Sequence, residues 1–135
     1  MVRWSVIVQQ TKANELLGAV IVSTPQDIAL KDAVKGINMF KTIKTPILGM
    51  VQNMSLFTCP HCQNSTHIFG AHSGVTKACE KHEVEFLGDI PLHASICDDA
   101  DRGKPTVVSE PNSDRAKAFG FIAEQIGKKI GLYKE

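Results

Sequence analysis

The sequence predicts an α/β fold with a mostly parallel sheet. Two patterns carry that expectation: short, continuous apolar runs rich in β-branched residues, suited to strands covered on both faces, and amphipathic stretches of helical period between them. Gly18–Ser23 (GAVIVS) is the first such run and predicts a buried strand. A helix is expected to begin at Thr24-Pro25-Gln26-Asp27, with Thr24 as its cap, Pro25 in the first helical position and Asp27 three residues after the cap. Ile28, Leu30, Ala33, Val34, Ile37 and Phe40 then make an apolar stripe at helical spacing, and the helix should stop before Pro46. Ile47–Val51 (ILGMV) predicts a second buried strand.

Residues 55–74 break this rhythm. Cys59-Pro60-His61-Cys62, a polar run, and then Gly70 and Gly74 predict an irregular loop. A helix follows over about 75–82, and a third strand at Glu85–Leu87 is closed by Gly88-Asp89-Ile90-Pro91. Residues 93–105 read as polar loop and Thr106–Val108 as a further strand. The last helix begins near Ser113 and carries Ala116, Phe119, Ile122, Ala123, Ile126 and Ile130 on one face. Lys128 and Lys129 suit the negative end of its dipole, and Gly131 supplies a stop. In such sheets ligands bind beyond the carboxyl ends of the strands, which singles out residues 24–26, 52–54 and 88–92.

At 135 residues the chain has the length of one domain and can bury a real core. Hydrophobic residues make up 43% and charged residues 21%, a composition that excludes a disordered chain. Fifteen basic against fourteen acidic residues leave a net charge of +1, which gives no reason to expect nucleic acid or an anionic membrane as a partner. No apolar run approaches the roughly 20 residues of a bilayer span. The opening Met-Val-Arg-Trp-Ser-Val-Ile-Val is too short for a secretory apolar region and is not the Arg- and Ser-rich stretch of a transit peptide.

Four cysteines stand at 59, 62, 79 and 97. The Cys59-x-x-Cys62 spacing lets two thiolates address one metal ion or cluster, and a tetrahedral zinc or a four-iron cluster wants four ligands. Three sources of the missing pair are open: His67 and His72 in a Cys-x2-Cys-x4-His-x4-His series, Cys79 and Cys97, or the same two cysteines of a second copy across a two-fold axis. A thioredoxin-like redox pair is disfavoured, because the motif does not open a helix. Cys79 and Cys97 read as inert small hydrophobes, and His82 and His93 as surface residues. The group Asp98, Asp99 and Asp101 reads as a solvated loop rather than a metal site, and Asn53 in its plainer reading caps a turn.

Gly18–Gln26 (GAVIVSTPQ), Gly49–Ser55 (GMVQNMS), Cys59-Pro60-His61-Cys62, Thr66–Gly70 (THIFG) and Leu87–Leu92 (LGDIPL), in this order, resemble the Mrp/NUBPL family of P-loop iron–sulfur proteins, nearest its mitochondrial NUBPL-type branch. The resemblance implies a deviant-Walker, ParA/MinD-like P-loop NTPase fold, of which residues 18–131 match the C-terminal part, with residues 1–17 unmatched and 132–135 a tail. It implies homodimers that hold a [4Fe–4S] cluster between the Cys-x-x-Cys loops of two subunits and deliver it to apo iron–sulfur target proteins, with respiratory complex I assembly as the branch's task. By this resemblance Cys59 and Cys62 are the cluster ligands, Asn53 reads the adenine edge, and Asp89, Ile90 and Pro91 line the base. ATP with Mg is the family's nucleotide.

The chain departs from the family in lacking a glycine-rich P-loop: no G-x-x-x-x-G-K-[ST] occurs. Gly36-Ile-Asn-Met-Phe-Lys41-Thr42 has no second glycine and falls in a predicted helix, and Gly70-Ala-His-Ser-Gly74 has no Lys-Ser/Thr after it. The expectation is therefore a truncated P-loop domain without Walker A and B, an iron–sulfur carrier or scaffold with no ATPase activity of its own. The alternatives are the ATP-dependent cluster-transfer ATPase of which it is a piece, and a zinc-binding module using Cys59, Cys62, His67 and His72. The resemblance places it in the mitochondrial matrix, with the cytoplasm as the alternative.

Overall fold

The computed structural model describes residues 17–70 and 73–132. Both sequence patterns become structure. Strand β1 (Ala19–Ser23) leads into helix α1 (Asp27–Thr42), strand β2 (Ile47–Thr58), the short strand β3 (Ser65–Thr66) and helix α2 (Ser73–His82). Strand β4 (Phe86–Leu92), helices α3 (Ala94–Asp101) and α4 (Thr106–Ser109), and the long helix α5 (Asp114–Lys129) complete it. β2 pairs in parallel with β1 on one edge and with β4 on the other. β3 is its antiparallel partner at Phe57–Thr58, on the edge that β1 leaves beyond Ser23.

The apolar runs are continuous because the sheet is covered twice. Ala19 and Ile21 of β1 face one side, with Met50, where they meet Leu30, Ala33, Ile37 and Phe40 of α1 and Val75 and Cys79 of α2. Val20 faces the other side, with Val51, Leu87 and Ile90, under Ile122 of α5 and the half-buried Ile96 and Ile126. Each fully buried Leu or Ile contributes about 1.5–3 kcal/mol of burial. At Gly49 the strands approach so closely that a Cβ would sit 2.4 Å from Leu87 Cγ.

Several sequence expectations are corrected. α1 begins at Asp27 with Gln26 in the capping position and no side-chain cap, so Thr24 does not cap it. Ile28 is 74% exposed and lies off the buried face, which Ala29 and Gly36 join instead. β2 runs on to Thr58, seven residues past the expected end, and β4 runs through Gly88-Asp89-Ile90-Pro91 instead of closing there. The expected loop over 93–105 contains α3, and the expected strand at Thr106–Val108 is α4. His93 is no idle surface residue, since its Nδ1 accepts the Ser95 N–H at 3.1 Å and caps α3. Asp99 explains α4: its Oδ2 accepts from Ser109 Oγ at 2.6 Å and from Thr106 Oγ1 at 3.1 Å, so local hydroxyl–carboxylate bonds outweigh the β propensity of Thr-Val-Val. α5 begins near Ser113 as expected, with Ser113 Oγ capping it, but Phe119 and Ala123 stay exposed.

Two outcomes check this packing. Gly49→Ala should destabilise the fold by about 1–3 kcal/mol through overpacking against Leu87, whereas Gly120→Ala, with nothing within 4 Å of its Cβ, should stabilise α5 by roughly 0.5–1 kcal/mol in urea titrations. Equal effects would contradict the close approach. Asp99 is held below the ordinary carboxylate range, first by the Ser109 hydrogen bond, against burial and with help from Thr106, Arg102 and Arg115. Its contribution is therefore complete above pH ~4 and is lost as pH falls through the lowered native value, so Asp99→Asn should flatten the acid limb of stability against pH.

Candidate functional site

The carboxyl ends of the three parallel strands lie side by side. Ser23, Gln52 and Asp89 are register partners, as are Asn53 and Ile90. Beyond Asn53 the β2–β4 ladder breaks and resumes at Phe57↔Leu92, so Met54–Leu56 face Pro91 alone. Proline has no N–H to give the ladder, which accounts for the break at this point. Met54 turns through a left-handed conformation, φ 55°, with its N–H donating to Asn53 Oδ1 at 3.0 Å.

Ser55 closes the gap. It is 1% exposed, and its hydroxyl donates to Asp89 Oδ2 at 2.6 Å with the Ile90 carbonyl at 3.2 Å. Its own carbonyl lies 2.9 Å from His67 Nδ1, just past β3. One residue thus ties the Asp89–Ile90 strand end to the segment that returns from the cysteines.

Those cysteines occupy the tip of the β2–β3 hairpin. Thr58 Oγ1 and Ser65 Oγ meet at 2.9 Å, Cys59 N–H donates to Asn64 O at 2.9 Å, and Gln63 N–H donates to Cys59 O at 2.9 Å. Gln63 takes φ 59° to make the turn. Cys59 is half-buried and Cys62 exposed, and both are free thiols. The backbone N–H groups of Cys62 and His61 and the Cys62 side chain hold the Cys59 thiol below the ordinary cysteine range, against a smaller opposing effect of desolvation. After the hairpin the chain runs back over Pro25, whose carbonyl would lie 3.5 Å from a Cβ on Gly70, a residue at φ 113°.

Of the two alternative ligand sources within the chain, Cys79 and Cys97 are not brought to the hairpin. Cys79 is buried in the α1–α2 core, where burial first and Glu80 second push its thiol up. Cys97 is exposed on α3, 3.9 Å from Asp101 Oδ2. His67 joins Ser55, and His72 lies outside the described residues. Among the described residues no three His, Cys, Asp or Glu side chains converge as a metal site, the Asp98–Asp101 group included. Of the residues assigned to the nucleotide side, Asn53, Asp89, Ile90 and Pro91 are contiguous, but Ile90 turns its side chain into the core and Asn53 Oδ1 is engaged by Met54.

Residues 5–127 match the family described as "ParA: NUBPL iron-transfer P-loop NTPase". The chain belongs to that family. Within the NUBPL family it is 52% identical over 117 residues to the iron-sulfur cluster transfer protein NUBPL of Dictyostelium discoideum, covering 87% of this chain and 36% of that protein. It is 46% identical over 121 residues to an Arabidopsis thaliana "iron-sulfur protein required for NADH dehydrogenase, mitochondrial", covering 90% and 38%. The chain thus spans little more than a third of these curated relatives. The septum site-determining protein MinD of Pyrococcus horikoshii, solved with Mg-ADP, superposes with TM-score 0.68 and 25% identity over 87% of this chain and 44% of MinD. The ParA/MinD-type fold expected from the motifs is therefore present in part.

Ser55 is the residue that motif reading passed over. Its signal was available: Gln52, Asn53 and Ser55 are polar residues inside an apolar strand, and such local inconsistencies mark sites.

Alkylation checks the thiol environments. Cys59 should react with iodoacetamide at lower pH than Cys79, which should react only as the fold opens, when followed by peptide mass spectrometry. Simultaneous labelling of Cys79 and Cys59 in the native protein would contradict the packing.

Proposed function

We propose that this chain is an iron–sulfur cluster carrier in which Cys59 and Cys62 hold a [4Fe–4S] cluster as cargo between two copies. The observation that carries the reading is the hairpin tip: two adjacent free thiols, outside the core, with no third donor beside them among the described residues. Two-fold symmetry turns two thiolates into four without any further residue. Soft thiolates suit iron and zinc alike, and the family membership favours iron. Exposure serves release. An incoming thiolate of an apo iron–sulfur protein reaches iron directly, each bond to Cys59 or Cys62 is replaced by one to the recipient, and no net electron moves.

The mitochondrial matrix is the setting of this reading and complex I assembly its task; a mitochondrial setting is supported by the Arabidopsis protein, which is named for NADH dehydrogenase and for mitochondria. Among the described residues no helix is long and apolar enough to cross a membrane. Asn53 and the Asp89–Pro91 strand end are the adenine-side residues of this reading. The sequence has no glycine-rich loop or its lysine for the phosphates. Losing two or three charge-assisted hydrogen bonds, at about 1.5–3 kcal/mol each, weakens binding by orders of magnitude.

Anaerobic reconstitution tests the cargo. Iron and sulfide should approach about four atoms each per two chains. Cys59→Ser or Cys62→Ser should abolish loading, and Cys79→Ser or Cys97→Ser should not. Zinc bound in place of iron, and lost on His67→Ala or His72→Ala, would establish the zinc module instead. Calorimetry with Mg-ATP should show no sub-millimolar binding to this chain, and phosphate release should match the blank. Micromolar binding would mean a phosphate site elsewhere.

A further inference from the structure

Between α1 and α2 the surface carries an open groove of about 480 Å³. Leu30 and Val34 of α1, spaced by four residues, and Ala78 of α2 form its floor. Lys31, Lys77 and Lys81 form its rim, with His82 at the end of α2. The sole acidic residue of the lining is Asp27, in the first turn of α1, where a carboxylate complements the helix dipole.

The electrostatics of this groove are unbalanced in a chain of nearly zero net charge. Lys35, one turn along α1, pairs with Asp32 at 3.0 Å, and Lys41 donates to the His82 carbonyl at 2.8 Å. Among the described residues Lys31, Lys77 and Lys81 have no ion pair, although α1 and α2 carry Asp32 and Glu80. Three like charges around a low-dielectric floor raise the local potential for an anion.

We infer that this groove docks an acidic amphipathic helix of the protein that receives the cluster, an inference that rests on the carrier reading above. The floor side chains do not protrude, with Leu30 9% exposed and Val34 and Ala78 half-buried, so they offer nothing to insert into a bilayer. Apolar anchors at i, i+3 or i+4 would fill the floor, and flanking glutamates would meet the lysines. The chain's own residues 1–16 carry Arg3, Lys12 and Glu15 and have the wrong sign. A second copy offers exposed Asp98 and Asp101 on α3 without a large apolar anchor, since Ile96 packs against its own core, and exposed Phe119 and Phe121 on α5, whose Asp114 and Glu124 are already paired with Lys117 and Lys128.

The test uses the full chain and a synthetic helical peptide with a leucine stripe flanked by glutamates, beside the same peptide with glutamine for each glutamate. The glutamate peptide should bind, with NMR shifts centred on Leu30, Lys31, Val34, Lys77 and Lys81. Its affinity should fall with salt, and the glutamine peptide should bind about tenfold more weakly or worse. Lys77→Glu with Lys81→Glu should weaken binding by a similar factor, and the gentler Lys77→Gln with Lys81→Gln by less, whereas Lys35→Glu should leave it unchanged. Equal binding of the two peptides, indifference to the lysine changes, or binding to phosphatidylglycerol vesicles in place of the peptide overturns the inference. So does self-association that vanishes with the lysine changes while the peptide stays inert. Iron loading is read separately: a chain that binds the peptide but loads no cluster overturns the carrier reading and leaves the groove standing.

Discussion

Ser55 places its hydroxyl 2.6 Å from Asp89 at the stretch where β2 and β4 stop pairing. A parallel ladder interrupted by proline would leave strand ends to splay, and a buried hydroxyl bonded to a carboxylate and a carbonyl holds them together. The same residue's carbonyl meets His67, so the return from the cysteine hairpin is fixed to the sheet at that point. The position of the hairpin relative to the Asn53–Pro91 edge therefore follows from one residue of β2.

The hairpin inverts the usual economy of a small domain. Its two thiols sit outside both apolar layers, and two non-glycine residues, Met54 and Gln63, bracket them in left-handed conformations. Such conformations cost about 1–3 kcal/mol each and persist where surrounding contacts over-determine them. Here those contacts are the Asn53 cap on Met54 and the Cys59–Asn64 and Gln63–Pro60 bonds across the tip. The layers beneath supply the stability, and the tip supplies exposed sulfur. A buried thiol such as Cys79 has the opposite character, raised and shielded, and serves packing.

The layered core was legible because it rests on periodicity. Ala19–Ser23, α1 and α5 follow directly from apolar spacing. What escaped depends on bonds between residues whose meeting the sequence does not announce. Thr106–Val108 has β propensity, yet Asp99 holds it as helix, and residues 93–105 look like loop until His93 caps them. Pro91 reads as a terminator but lies within β4, tolerated where β2 bulges away. That Cys59 and Cys62 lie together at one loop tip was legible from their spacing. Ile90 was legible as a neighbour of Asn53, but not as a core residue, because a short strand end gives too few residues to reveal which face each takes.

The central claim is that a cluster is held by two copies of the hairpin rather than by one chain. Native mass spectrometry of the anaerobically reconstituted protein measures this directly. The account predicts a species of two chains carrying four irons and four sulfides, collapsing to metal-free monomers when Cys59 and Cys62 are both replaced by serine. A monomer that keeps a single metal ion, with no two-chain species, would contradict it.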